Sequence, residues 1–185
     1  MGIAKNPNKV LLVITVFSKS EKLIEESKKV LEKKFGEVSK ESSIFNFNET
    51  NFYEKEMGSD LKLQIFGFKK LISPIKLANI KVITNKLEKK LHKFAKKHLN
   101  IDENISRSIN LDPGYITPNK FVLATTKDAS HRIYLKKGIY AEATLSYMHK
   151  AWKEHSYTYL NYKNKDYQDF LTILRDYLKN KYKKD

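Results

Sequence analysis

The first part of the chain combines a continuous apolar run with a helical pattern of apolar residues. Val10–Phe17 is apolar and rich in β-branched side chains, which predicts a strand buried on both faces of a sheet. Apolar residues then recur at helical spacing up to Phe35, and Ser18 or Ser20 is a suitable N-cap for that helix. Gly36 is expected to end it. The chain therefore begins with a strand followed by a helix.

The remaining hydrophobic pattern predicts two further helices and a series of short strands. Ser73 and Pro74 provide an N-cap and a first-turn proline for a long helix that ends near Lys97. A closing helix is predicted at about residues 165–182. The predicted strands after the first are Ser43–Phe47, Leu61–Phe68, Ser106–Leu111, Lys120–Thr126, His131–Leu135 and Ile139–Tyr147.

The order of these elements, βαββαβ, is the split pattern of ferredoxin-like folds, extended here by meander strands and a C-terminal helix. It predicts an α+β protein with a mostly antiparallel or mixed sheet. Residues 1–185 are long enough for one globular domain and short for two. The Lys-rich tail from about residue 179 is expected to fray.

Composition narrows the class of protein further. A hydrophobic content of 41% with 10 Phe and 11 Tyr can fill a core, so the chain is expected to fold alone. The chain has no cysteine, which excludes a disulfide scaffold, a thiolate metal site and a thiol nucleophile. Its longest apolar run is far shorter than the roughly 20 residues that a membrane helix needs. The N-terminal residues also lack the charged and then apolar pattern of a signal peptide. We therefore expect a soluble cytoplasmic protein without a membrane partner.

The formal net charge of +15 has two interpretations. It favours a phosphate-rich partner, either RNA or a nucleotide. It also fits a genome-wide composition bias or a thermophilic surface, because nearly all of the positive charge is lysine. Arginine occurs only at Arg107, Arg132 and Arg175, so Arg132, which lies among other reactive side chains, is more informative than any single lysine.

The most varied polar chemistry lies between residues 110 and 144. Asp112-Pro-Gly-Tyr115 has the residues of a turn, with proline at the second position and a glycine suited to positive φ at the third. Asn110 and Asp112 are two residues apart and share one face at a strand end, where they can bind a metal, a ribose or water. The alternative is a turn that only ends a strand.

The segment from Lys127 to Arg132 is predicted to be the tip of a hairpin. It brings an ammonium, an imidazole and a guanidinium together, with Asp128 beside them, and such a cluster suits an anion. His131 is a candidate general acid or base because its ordinary pKa is near neutrality. A solvated charged loop without a function is the alternative.

Glu142 lies within a strand whose residues alternate. Ile139, Ala141, Ala143 and Leu145 are predicted to share one face, and Tyr140, Glu142, Thr144 and Ser146 the other. If this face of the strand meets Asn110 and Asp112, two or three carboxylates oppose Lys127 and Arg132, which is the layout of a metal-assisted or acid/base phosphate site. A polar face exposed to water explains the same pattern.

One face of the long helix is polar. Lys81, Thr84, Asn85 and Glu88 follow helical spacing there, and most such faces are solvated. Lys81 and Asn85, together with Glu56 in the loop before Gly58, are nevertheless candidates for ligand binding.

These motifs, together with Phe52-Tyr-Glu-Lys-Glu-Met-Gly58 and Ile80-Lys-x-x-Thr-Asn85-x-x-Glu88, resemble an uncharacterised family of short bacterial and archaeal proteins, domain of unknown function 4416. The likeness spans almost the whole chain. The family's Trp-Thr-Tyr-Pro-Asp-Tyr-like segment reads Ser156-Tyr-Thr-Tyr-Leu-Asn-Tyr162 here, without the tryptophan and the proline. The resemblance implies one domain and supports the choice of site residues, but it implies no reaction.

Three functional hypotheses follow, and none of them fixes the oligomeric state. The first is a protein that binds a phosphate-containing ligand, RNA or a nucleotide, and the second is a hydrolase or transferase assisted by a divalent metal. The third is a protein-interaction module that docks through its polar hairpin. The candidate phosphate-binding residues are Lys81, Lys127 and Arg132, and the other candidate ligand-binding residues are Glu56, Asn85, Asn110 and Tyr115. The candidate catalytic residues are Asp112, Asp128, His131 and Glu142, of which Asp112 and Glu142 are also the candidate metal ligands.

Overall fold

The strands form one sheet, and the helices pack around it. The computed structural model of the protein describes residues 1–47, 54–99, 101–102 and 104–183. The helices in these residues are α1 (Glu21–Phe35), α2 (Glu54–Met57), α3 (Leu77–His98) and α4 (Lys165–Tyr182). The strands are β1 (Leu11–Ser18), β2 (Val38–Glu41), β3 (Phe45–Phe47), β4 (Leu61–Phe68), β5 (Asn110–Ile116), β6 (Lys120–Thr125), β7 (Ile133–Lys136), β8 (Ile139–Met148) and β9 (Ala151–Glu154).

The sheet has the strand order β2-β4-β1-β5-β6-β8-β7, with β3 also paired to β4 and β9 to β8. All pairings between these strands are antiparallel. The β2-β4-β1-β5 part, connected through α1 and α3, has the predicted βαββαβ arrangement. The predicted α+β class with an antiparallel sheet and a C-terminal helix is therefore confirmed.

Helices cover both faces of the sheet. Leu12 and Ile14 of β1 pack in one apolar cluster with residues of α1 and α3, whereas Leu11 and Val13 pack in a second cluster with residues of α4. Successive strand side chains point to opposite faces, so a strand covered on both sides must be apolar throughout. Every residue of β1 is buried, as its unbroken apolar run predicts.

The helix ends follow the predicted caps only in part. Ser20 caps α1, because its hydroxyl accepts a hydrogen bond from the Leu23 N–H at 3.3 Å. Ser73 makes no such side-chain bond, and residues 74–76 form a 3₁₀ turn that leads into α3. At the C-terminus, α4 continues to Tyr182 through most of the tail that its composition predicts to fray. Residues 184 and 185 lie outside the described part of the chain.

The Asp112-Pro-Gly-Tyr115 segment is not a turn, contrary to the prediction. It lies inside β5, where Asp112 pairs with Thr15 of β1 and Gly114 pairs with Leu123 of β6. Gly114 is not among the glycines with positive φ. Its lack of a side chain serves a different purpose, because a Cβ atom here would lie 2.3 Å from the carbonyl oxygen of Val122.

Strands β5 and β6 separate at one end. They pair only from Gly114 to Ile116, so the preceding residues of β5 have no partner in β6. Pro113 has no N–H to offer a neighbouring strand. The Leu111 N–H instead donates to Glu88 Oε1 at 2.8 Å, and the Leu111 C=O accepts from Lys81 Nζ at 3.0 Å. Two side chains of α3 thus replace β6 along this part of β5, and a cleft opens between the strands.

The segment from Lys127 to Arg132 is not the tip of a hairpin, contrary to the prediction, because the strands on either side of it, β6 and β7, do not pair with each other. Strand β8 lies between β6 and β7, so the connection crosses β8 and brings Arg132 onto Glu142. The predicted alternation along β8 breaks at a register shift, after which Leu145 pairs with Phe121. Leu145 consequently packs in the cluster beneath α4, whereas Ile139 packs in a cluster with residues of α3.

Candidate functional site

A cleft of about 560 Å³ occupies the gap between β5 and β6. Asn110 and Asp112 line it from β5, and Thr125 and Lys127 line it at the end of β6. Lys81 and other polar residues of α3 line it as well. The polar stripe of α3, which by its pattern alone is expected to be solvated, therefore faces the cleft instead.

The first polar network in this cleft is centred on Asp112. Lys81 Nζ donates to Asp112 Oδ1 at 3.0 Å, and Asn110 Nδ2 donates to Asp112 Oδ2 at 2.7 Å. The Lys81 side chain is only 7% exposed, whereas that of Asp112 is 26% exposed. The carboxylate is therefore held by two protein donors and is still open to the cleft.

Arg107 extends this network toward α3. Its Nη2 donates to Glu88 Oε2 at 2.9 Å and also to Asn110 Oδ1, and its Nε donates to the Ile109 carbonyl at 3.2 Å. Glu56 Oε2 lies 3.7 Å from Arg107 Nη1, which is an ion pair but not a hydrogen bond. Arg107 thus connects carboxylates from two helices to the first residue of β5.

The second network surrounds Glu142, whose side chain is 1% exposed. Arg132 Nε donates to Glu142 Oε2 at 2.8 Å, His131 Nε2 lies 3.3 Å from the same oxygen, and Thr144 Oγ1 donates to Oε1 at 3.2 Å. Arg132 also donates from Nη1 to the Lys127 carbonyl at 3.0 Å. One guanidinium therefore holds both the buried carboxylate and the loop that covers it.

The segment after β9 closes this side of the cleft with aromatic rings. Arg132 Nη2 donates to the Tyr159 hydroxyl at 2.7 Å, and Tyr159 lines the cleft. The rings of His131 and Tyr157 stack with centroids 4.0 Å apart and planes 8° from parallel. Burial raises the pKa of the Tyr159 hydroxyl, which stays protonated and can donate.

Charges of both signs face the cleft. The lining side chains include four cations, Lys81, Lys89, Arg107 and Lys127, and four carboxylates, Glu56, Glu88, Asp112 and Glu142. Arg132 is not among the lining residues, but it neutralises Glu142 from behind. Cationic and acidic side chains are therefore equal in number in the lining, and Arg132 offsets one of the four carboxylates from outside it.

Burial raises the pKa of Glu88 above its ordinary value of 4.5, against the opposing effects of Lys81, Arg107 and the Leu111 N–H. A carboxyl group whose pKa is raised by folding stabilises the folded state below its ordinary pKa. That contribution is lost as the pH rises through the raised value.

We therefore expect Glu88→Gln, which cannot ionise, to gain stability relative to the wild type as the pH rises from about 4.5 to 7. Urea unfolding of both proteins across this range measures the difference. A difference that stays constant with pH, or one that falls as the pH rises, would contradict the raised pKa.

The structure brings most of the sequence-predicted residues to this site. Those that line the cleft are Glu56, Lys81, Asn85, Asn110, Asp112, Lys127 and Glu142. His131 and Arg132 lie one layer behind, in contact with Glu142. Asp128 is exposed outside the cleft, and Tyr115 packs against the cluster of Leu77 and Val122 instead. Residues 52 and 53 of the motif that ends at Gly58 lie outside the described residues.

Sequence reasoning missed two central members of the site, Arg107 and Tyr159. The scarcity of arginine, which singled out Arg132, applies equally to Arg107. Tyr159 lies among several tyrosines that composition alone does not distinguish. Its approach to Arg132 depends on a chain separation of 27 residues, which no local pattern reveals.

A metal site formed by Asp112 and Glu142 stays a prediction. Across the described residues, no group of three or more histidine, aspartate or glutamate side chains is placed to hold a metal ion. Both carboxylates are instead bonded to protein donors, Asp112 to Lys81 and Glu142 to Arg132.

None of the described helices is both long and apolar enough to cross a membrane.

Comparison with known proteins identifies a family but no activity. Neither a curated protein nor a solved structure matches the chain significantly. The family model described as "Domain of unknown function (DUF4416)" matches residues 8–177. Because this match covers most of the sequence, the protein belongs to the DUF4416 family.

Proposed function

We propose that the cleft binds a small ligand that carries a phosphate group and has about the size of a nucleotide. The observation that supports this most directly is a set of cationic side chains with unused donors, Lys81, Lys89 and Arg107, in a walled cleft. Its volume of about 560 Å³ lies within the range of roughly 300–1,000 Å³ that is usual for small-molecule sites.

The free energy needed to remove these charged side chains from water supports a functional role for the cleft. Buried ion pairs seldom stabilise a fold more than apolar residues of similar size, because removing two charges from water is unfavourable. Here the ion pairs Lys81–Asp112, Arg107–Glu88 and Arg132–Glu142 are all largely shielded from water. Such arrangements concentrate at binding and catalytic sites.

Unused donors near the cleft surface support an anionic ligand. The Lys81 ammonium has three N–H donors, of which the described residues accept two, at Leu111 and Asp112. The Nη1 group of Arg107 makes no hydrogen bond to the described residues and lies 3.7 Å from Glu56 Oε2. Lys89 is exposed and lines the same cleft. These groups match the several oxygen acceptors of a phosphate.

Two neighbouring lysines allow a matched test of this proposal. Lys89 and Lys90 are both exposed on α3, but only Lys89 lines the cleft. We expect Lys89→Gln to weaken the binding of a nucleoside monophosphate about tenfold, which is the typical effect of losing one charge-assisted hydrogen bond. Lys90→Gln should change it less than about twofold, because salt screens a charge outside the site.

Binding is measured by calorimetry after a thermal-shift screen of nucleoside monophosphates and sugar phosphates. Equal affinities of Lys89→Gln, Lys90→Gln and the wild type would place the ligand outside the cleft. An absence of binding to every phosphate compound would overturn the proposal.

An RNA ligand would behave differently from a nucleotide. A chain that contacts many phosphates releases many counterions, so its affinity falls by orders of magnitude between about 50 and 200 mM salt. Fluorescence polarisation with a single-stranded RNA measures this slope. Tight RNA binding with a steep slope, and no binding of mononucleotides, would assign the charge excess to a polymer.

A further inference from the structure

A second cavity, of about 510 Å³, adjoins the charged cleft. Its lining is mainly aromatic and apolar and includes Phe17, Phe47, Tyr157, Leu160 and Tyr162. Leu160 is 56% exposed, although most large apolar side chains near it are buried. Leu160 therefore leaves apolar surface within this cavity open to a ligand.

The two cavities share part of their walls. Asp112, Lys127 and Tyr159 line both of them. A single ligand that passes these three residues can therefore place a charged group in the cleft and an apolar group in the second cavity. Most ligand sites have this composition, in which apolar walls supply area and a few polar groups fix the orientation.

A buried polar atom gives a second, independent indication. Asn161 lines the second cavity and is 5% exposed, and its Nδ2 has no hydrogen-bond partner among the described residues. A buried donor without an acceptor is unfavourable and is rare in folded proteins. Rotation of the amide about its terminal torsion, which is soft in asparagine, can turn this donor toward a ligand.

We infer that the second cavity binds a planar heteroaromatic ring with a hydrogen-bond acceptor on its edge, such as a nucleobase. Tyr159, which lines the cavity and is 45% exposed, can stack on the ring, the other aromatic side chains contact its edges, and Asn161 donates a hydrogen bond to the acceptor. This inference rests on the proposed function, because the phosphate on the same ligand would occupy the charged cleft. It narrows the ligand from any phosphorylated compound to one whose phosphate is joined to a ring through a short polar linker.

The test compares ligands with and without a ring. The probes are the four ribonucleoside monophosphates and ribose phosphate, with Leu160→Ser as the variant in the second cavity. Ile173→Ser is the matched control, because Ile173 is similarly exposed, at 51%, and lines neither cavity. We expect one monophosphate to bind at least about tenfold more tightly than ribose phosphate, since its ring is removed from water.

Leu160→Ser should remove most of that advantage and leave ribose phosphate binding unchanged, whereas Ile173→Ser should alter neither. Nuclear Overhauser contacts between the ring protons and the Leu160 methyl groups would locate the ring directly.

The outcomes separate the two proposals. If ribose phosphate binds as tightly as every monophosphate, the ring site is wrong and the phosphate site stands. If the monophosphates bind more tightly but Leu160→Ser has no effect and the ring makes no contact with Leu160, the ring lies elsewhere and the inference is overturned. If no phosphate compound binds but a free nucleoside binds in a manner sensitive to Leu160→Ser, the ring site stands and the phosphate site fails.

Discussion

Replacing Arg132 by methionine is expected to lower the free energy of unfolding by about 3–5 kcal/mol. The substitution leaves the Glu142 carboxylate, which is 1% exposed, without its main counter-charge. It also removes the bonds from the guanidinium to the Lys127 carbonyl and to the Tyr159 hydroxyl. Equilibrium unfolding in urea measures the loss.

The double variant Arg132→Met, Glu142→Gln separates the charge effect from the packing effect. Without the buried charge, most of the penalty should disappear, so we expect the double variant to be more stable than Arg132→Met alone. A double variant that is no more stable than the single variant would show that the loop contacts, and not the carboxylate, account for the loss. A loss below about 1 kcal/mol in Arg132→Met would contradict the burial of this pair.

Gly114→Ala is expected to be the second severe substitution, with a loss of about 3 kcal/mol. A Cβ atom at Gly114 would lie 2.3 Å from the Val122 carbonyl oxygen, and the backbone of β6 must move to accommodate it. Gly114 belongs to the last residue pair before β5 and β6 separate. We therefore expect the substitution to widen the cleft as well as destabilise the fold.

Gly67→Ala provides the matched control, because Gly67 is also a strand glycine with a close neighbour. Its nearest contact would be Leu174 Cδ2 at 2.4 Å, which belongs to a side chain that can rotate. We expect a smaller loss of about 1 kcal/mol. Unfolding curves of the two variants decide the comparison, and equal losses would show that the β6 backbone yields as easily as a leucine side chain.

The pattern of hydrophobic residues along the sequence predicted the fold better than it predicted which strands pair. The bounds of β4 and α4 match the predicted elements, because each has an apolar pattern with a clear start and end. Strands β2 and β9 were missed because each is four residues long and has at most one buried residue. The start of β5 was misplaced because Pro113 and Gly114 are also turn residues, and local sequence does not show that they lie between two strands.

The site was predictable where its residues share one element, and unpredictable where distant segments meet. Helical spacing placed Lys81, Asn85 and Glu88 together, and the structure confirms their common face. The pairing of Lys81 with Asp112 spans 31 residues and depends on the separation of β5 from β6. The burial of Glu142 likewise depends on a loop that crosses β8. The alternation of residues along this strand is equally consistent with a polar face exposed to water.

The replacement of a strand by side chains beside β5 makes one backbone amide a natural reporter. The Leu111 amide hydrogen is bonded to the Glu88 carboxylate and not to a neighbouring strand, so we expect this bond to slow its exchange with solvent. A phosphate-carrying ligand that displaces the Glu88 carboxylate would release this hydrogen while the neighbouring amides of the strand remain protected. Occupancy of the cleft can thus be followed at a single resonance in an NMR spectrum, before the chemical identity of the ligand is known.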